Sequence, residues 1–200
     1  MVDVRTAPTS RHNPDATRDA MSRWLPEIGI SYQWDKRLGG WRKAPADTHD
    51  TALRNQSFRG YAGHMRSPEF LAAIDDLLAG ATGEPTTVMC AESVWWRCHR
   101  KMIADFLMLA RGVDVRHLMH DGTLRPHLPS SQARLLHERR VLVYDAGQPP
   151  LVPERVCCVG GGAGSGRLGG CVAALVEWQH RGPALRVRLP SDVIMIAVRW

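Results

Sequence analysis

Lysine occurs three times in the 200 residues, phenylalanine three times and tyrosine three times, and no apolar run approaches the roughly 20 residues of a membrane-spanning helix. The absence of such a run excludes a helical membrane span. The N-terminus also shows no signal-peptide pattern, so the cytoplasm is the expected compartment. Hydrophobic residues at 44% and charged residues at 23% stand near globular averages, which excludes disorder throughout, collagen and coiled coil. A chain of this length buries about two-thirds of its unfolded surface, so neither disulfides nor a metal are needed for stability.

The scarcity of lysine gives the basic balance its character. Lys and Arg total 26 against 20 acids, a net charge of +6, and all but three of those bases are arginine. Guanidinium is a planar fork of donors suited to phosphate and carboxylate, which makes an anionic small molecule, a nucleotide or a nucleic acid a candidate partner. A GC-rich coding sequence produces the same surplus without any ligand.

Composition changes at Gln148-Pro149-Pro150, a breaker that divides the chain. Residues 149–200 hold three of the five cysteines and eight of the eighteen glycines. Six arginines stand there against three acids, so each part carries +3 and the extension is not the source of the basic character. Residues 1–148 are expected to form the α/β domain, and 149–200 a divergent Gly/Cys-containing extension, flexible around its glycines. The run Arg155–Gly170 contains glycine-spaced fingerprints, but no strand–loop–helix unit surrounds it and Glu177 is too near for the ribose-binding acid of a dinucleotide site. Val172–Trp178 and Val193–Val198 have the composition of strands without being required to pair.

Strands and helices alternate through residues 1–148. Short β-rich runs occupy 1–5, 28–34, 86–90, 113–118 and 140–144. Helices are expected from Asp15 as cap to Leu25, over 57–65, over 68–79 with Ser67 as cap and Pro68 in the first turn, over 98–111, and near 130–138. Such alternation predicts a three-layer α/β fold, a mostly parallel sheet with helices on both faces. The polar stretch 35–55 exceeds the usual connection and suits a functional loop. The chain opens directly on a strand with no unit before it, which fits either a strand that begins at Met1 or a start placed downstream of the original.

The segment TTVMCAESVWWRCHR, residues 86–100, concentrates chemistry. It puts Cys90 at the carboxyl end of a strand and Cys98-His99-Arg100 at the start of a helix, where ligands of open α/β sheets collect and thiol pKa values fall. Three chemistries fit. Cys90 can be a nucleophile with Glu92 or His99 as acid or base. Cys90, Glu92, Cys98 and His99 can bind a soft metal, although seven residues between the cysteines exceed the spacing of a zinc knuckle, and no metal is assigned. Arg97 and Arg100 can hold an anion without further chemistry. The phosphatase loop is not matched, because its arginine would fall on Trp96. A thiol redox pair at Cys90 and Cys98 is a further alternative.

Four motifs occur in order: Asp3-Val4-Arg5 with Pro8, Ser10 and Arg11; Leu38-Gly39-Gly40-x-Arg42; Asn55-x-x-Phe58-Arg59-Gly60-Tyr61-Ala62; and Met89-Cys90-Ala91-Glu92 with Cys98-His99-Arg100. Together they closely resemble the bacterial and archaeal family called domain of unknown function 488, from residue 1 to about 145. The resemblance implies an α/β fold. It also implies that Arg5, Arg11, Arg42, Asn55, Arg59, Tyr61, Cys90, Glu92, Cys98, His99 and Arg100 are the family's characteristic polar positions. Family members usually begin with a further strand and helix, which this chain is expected to lack. The resulting site has Cys90, Glu92 and His99 as catalytic candidates and Arg5, Arg11, Asn55, Arg59, Tyr61 and Arg100 as ligand-binding candidates. No cofactor is implied, and a non-catalytic nucleic-acid-binding module is the alternative to an enzyme.

Overall fold

The computed structural model describes residues 1–46, 48–136, 140–145 and 193–197. The remainder of the extension, with its glycine-rich run, lies outside the described residues. The strands are β1 Val2–Asp3, β2 Gln33–Trp34, β3 Thr86–Met89, β4 Asp114–Leu118, β5 Leu124–Pro126, β6 Arg134–Leu136, β7 Val141–Val143 and β8 Val193–Ala197. The α-helices are α1 Arg18–Glu27, α2 Gln56–His64, α3 Pro68–Ala81 and α4 Arg100–Arg111. The class is α/β.

Six strands form one sheet in the order β2-β1-β3-β8-β4-β5, and β6 and β7 form an antiparallel pair. Every pairing in the large sheet is parallel except that of β5 with β4. The register sets Val2 beside Val88 and Asp3 beside Met89. Because successive residues of a strand point to opposite faces, Val2 and Val88 share one face while Asp3 and Met89 share the other. The larger apolar cluster contains Val88 with side chains of α2, α3 and α4, among them Tyr61, Phe70, Ile74, Ile103 and Phe106. A smaller cluster joins Met89 to Met21 and Leu25 of α1.

Local signals in the sequence account for the helix ends. Ser67 Oγ accepts from the backbone N–H of Phe70 with Pro68 in the first turn, and Asn55 Oδ1 accepts from Ser57 and Phe58 N–H. Gly112 closes α4 in the left-handed region, at φ 69°. Two expectations shift. The cap of α1 is Thr17, accepting from Ala20 N–H, because Asp15 is taken into a 3-10 turn over Pro14–Ala16. The helix expected near 130–138 is absent: Arg134–Leu136 is β6, whose Leu135 pairs with Leu142. That tertiary pairing overrides a modest helical pattern. In the extension, β8 lies between β3 and β4, a place in the sheet that composition did not indicate, while Val172–Trp178 lies outside the described residues. Among the described residues no helix is long and apolar enough to cross a membrane.

The parallel order has one consequence for the site. The carboxyl ends of β1, β3 and β4 fall on the same sheet edge, so Arg5, Cys90 and Met119 all follow strands that exit there.

Candidate functional site

Chain geometry assembles the site. β3 ends at Met89, and Cys90 is the first residue beyond it; the loop 91–99 contains a 3-10 turn at Trp95–Arg97 and returns as α4. The return brings the two cysteines together although seven residues separate them. The sulfurs of Cys90 and Cys98 and a ring nitrogen of His99 all lie within 4.8 Å of one another, on three buried residues, and both thiols are free. These three residues could hold a soft metal.

The environment of Cys98 is polar and cationic. Its sulfur lies 3.5 Å from His99 Nδ1, and Arg100 Nε donates to it at 3.4 Å. The Cys98 thiol is drawn down to about 3, first by the hydrogen bond from Cys90, against the opposing effect of burial, and further by His99 and Arg100. Cys90 moves the other way, pushed up by its bond to the Cys98 sulfur and by burial. With His99 Nδ1 and Arg100 Nε on its sulfur, Cys98 is the better placed of the two to carry a negative charge.

Arg100 is fully buried and carries three tasks on one guanidinium. Nε binds Cys98, Nη2 binds the Glu92 carbonyl, and Nη1 is buried with no hydrogen-bond partner. His99 Nε2 is likewise buried and unpartnered. Unpaired buried donors are costly, and in native structures they call for an explanation such as a ligand. The His99 ring is held by the edge of Tyr61, 5.1 Å between centroids, and by the bare Cα of Gly40.

The remaining candidates lie in different surroundings. Arg5 is 6% exposed and gives Nε and Nη2 to Asp3 and Nη1 to the Ala16 carbonyl, while Tyr32 Oη donates to the same carboxylate. Asn55 caps α2, and Arg59 Nε donates to the Leu53 carbonyl at 2.5 Å. Tyr61 Oη donates to the Leu38 carbonyl at 2.9 Å. Arg11 is exposed on the loop before α1, and the Glu92 side chain is exposed while its carbonyl serves Arg100. The structure thus brings together Cys90, Cys98, His99 and Arg100, with Tyr61 at the back of His99. Arg5, Asn55 and Arg59 make the contacts named above, with Asp3 and Ala16, with the first N–H groups of α2 and with Leu53.

A second buried polar group escaped the sequence reading. Asp105 of α4 accepts from Ser130 N–H and Oγ–H and from Tyr144 Oη–H, and bonds His127 Nε2 at 2.8 Å. His127 Nδ1 in turn meets His117 Nε2 at 2.9 Å, and the Trp95 ring stacks on His117 at 3.5 Å. The signal for it was present in β4, where Val115 and His117 alternate inward past an exposed Arg116.

The chain matches the family described as Domain of unknown function DUF488 over residues 1–107, more than half its length. It belongs to that family. The matched region of this DUF488 chain includes Cys90, Cys98, His99, Arg100 and Asp105, and ends before His117 and His127. Neither the curated proteins nor the solved structures yield a match.

Proposed function

We propose that this DUF488 protein is a thiol-dependent enzyme acting on an anionic small molecule, with the Cys98 sulfur as the attacking atom. The observation that carries the reading is the setting of that sulfur: it takes a hydrogen bond from the buried guanidinium of Arg100, lies 3.5 Å from His99 Nδ1 and has the Cys90 sulfur within 4.8 Å. A thiolate is the nucleophilic form of cysteine, and these neighbours hold it at neutral pH. Cys90 keeps its own proton while that of Cys98 goes to solvent. Arg100 Nη1, buried and unpartnered, is the donor offered to an anionic group on the substrate, and His99 Nε2 is the second unpartnered atom of the cluster. Relative to the sequence reading, the nucleophile moves from Cys90 to Cys98, and the anion site narrows from six residues to Arg100 with His99. The two apolar clusters, one on each face of the sheet, support a three-layer arrangement around this edge.

The same donor set suits a soft cation, a reading favoured by the three ligand atoms within 4.8 Å. Against it stands Arg100, which places a positive charge on the Cys98 sulfur and engages one of its lone pairs. Metal analysis of the purified chain decides between the two, and a stoichiometric metal bound through Cys90 and Cys98 would replace the thiol reading.

Alkylation kinetics test the nucleophile. With a thiol pKa near 3, the rate of Cys98 modification by iodoacetamide is expected to be flat from about pH 5 to 9, where an ordinary thiol gains about tenfold per pH unit. Iodoacetate, which carries a carboxylate for Arg100, is expected to react at least threefold faster than iodoacetamide. Cys98→Ser abolishes the fast phase, and Cys90→Ala moves its onset to higher pH. Modification only at the rate of global unfolding would overturn the proposal.

A further inference from the structure

The chain Asp105–His127–His117 leads toward the thiol site and ends on an unused atom. All three residues are fully buried, as is Tyr144, while Ser130 is nearly so. Asp105 Oδ1 accepts the Ser130 amide proton, so the 2.8 Å contact with His127 is completed by a proton on His127 Nε2. His127 Nδ1 is then the acceptor for the proton on His117 Nε2, 2.9 Å away. The far nitrogen, His117 Nδ1, is left as a bare lone pair, and it is buried with no partner. Every other side-chain polar atom of these three residues is paired, and only His117 Nδ1 is open.

The open end belongs to the same neighbourhood as the thiols. The loop after Cys90 gives its Glu92 carbonyl to Arg100 and lays Trp95 flat on the His117 ring, and Ser93 Oγ is 3.2 Å from His120 Nε2 just past β4. The charge of Arg100 acts on His117, as do His127 and Asp105. Burial first, and the neighbouring His127 and the Arg100 charge after it, hold the His117 pKa down, which preserves the lone pair.

We propose that Asp105, His127 and His117 form a proton relay for the thiol site, with His117 Nδ1 the atom that takes a proton from the reacting water. The relay rests on the thiol reading above. For an acyl group transferred to Cys98, water loses a proton to His117 Nδ1 while its oxygen adds to the carbonyl carbon. The C–S bond then breaks, Cys98 leaves as the thiolate, and the acyl group departs as the carboxylic acid. The Nε2 proton of His117 passes to His127 Nδ1, and the imidazolium so formed is held against Asp105. His117 is the catalytic base, and His127 and Asp105 are positioning residues that accept the displaced charge.

The test uses the full chain with p-nitrophenyl acetate as the acyl donor. Wild type is expected to release one equivalent of p-nitrophenolate in a burst through Cys98 and then turn over slowly. His117→Gln keeps the burst and slows the steady phase about 100-fold, within the usual range for loss of a general base. Asp105→Asn and His127→Gln slow it less, and the solvent deuterium isotope effect on the steady phase disappears in His117→Gln. A structural role would instead lower burst and steady phase together and leave the isotope effect in place, which overturns the relay. Nitrogen-15 NMR of the wild type reads the resting protons without any variant: His117 bare at Nδ1 and protonated at Nε2, His127 protonated at Nε2. A proton on His117 Nδ1 overturns the relay whatever the kinetics. Absence of a Cys98-dependent burst, with those tautomers in place, overturns the thiol reading and the assignment of the relay to it.

Discussion

Gly40 lacks a side chain where one would collide. A Cβ there would overlap the Nδ1 edge of His99, whose ring is 7% exposed and backed by Tyr61, so neither partner has room to yield. Gly40→Ala is expected to cost about 1–3 kcal/mol as overpacking and to push His99 from Cys98. Urea midpoints and the pH profile of Cys98 alkylation check both effects, the second as an onset moved to higher pH. Gly80, in the last turn of α3 with nothing within 4 Å of its missing Cβ, is the control: Gly80→Ala should stabilise by about 0.5–1 kcal/mol. At this scale the sequence exposed which residues are unusual but not what they touch. Leu38-Gly39-Gly40-x-Arg42 stood out as a motif, yet the partner of Gly40 lies 59 positions away. Arg5, Arg59 and Tyr61 are ligand-binding candidates through the family resemblance. In the structure they pair with Asp3 and with the carbonyls of Leu53 and Leu38, groups that composition cannot rank.

Among the elements, β4 carries a titrating group on its inward face. His117 is drawn down to about 3, chiefly by burial and then by His127 and Arg100. An unfolded histidine titrates near 6.5, so between those limits the unfolded chain holds a proton that the folded chain does not. Stability therefore rises with pH through this window and is lost on acidification below about 6.5. Between pH 6.5 and 4.5 the loss attributable to this one group is about 2 kcal/mol. Urea denaturation at the two pH values measures it, and His117→Gln should remove about that much of the difference. The helices were the legible elements, since Ser67-Pro68 and Gly112 announce their own ends. β6 was not, because Arg134-Leu135-Leu136 is a strand only by virtue of Val141–Val143 beside it. The relay shares that difficulty: Asp105, His127 and His117 come from α4, a loop and β4, and no spacing along the chain relates them.

Over the whole molecule, seven arginines among the described residues sit in ion pairs with aspartates, and since each pair takes up one charge of either sign, the +6 surplus rests on the other bases. Composition set residues 149–200 apart, but β8 at Val193–Ala197 pairs in parallel with β3 over Thr86–Val88 and with β4 over Asp114–Leu118. β3 positions Cys90 and β4 carries His117, so the strand between them sets the spacing of the thiol pair and the relay. A chain ending at residue 148 would leave both strands with open edges and remove the shared neighbour that aligns them. Such a truncation is expected to aggregate or lose a cooperative thermal transition, and to lose the pH-independent alkylation of Cys98 with it. Co-expression with residues 149–200 as a separate chain should restore both. Size-exclusion chromatography, thermal denaturation and the iodoacetamide assay read the outcome. A monomeric 1–148 chain with unchanged melting and unchanged thiol reactivity would remove β8 from the working sheet and return the extension to the role of an appendage.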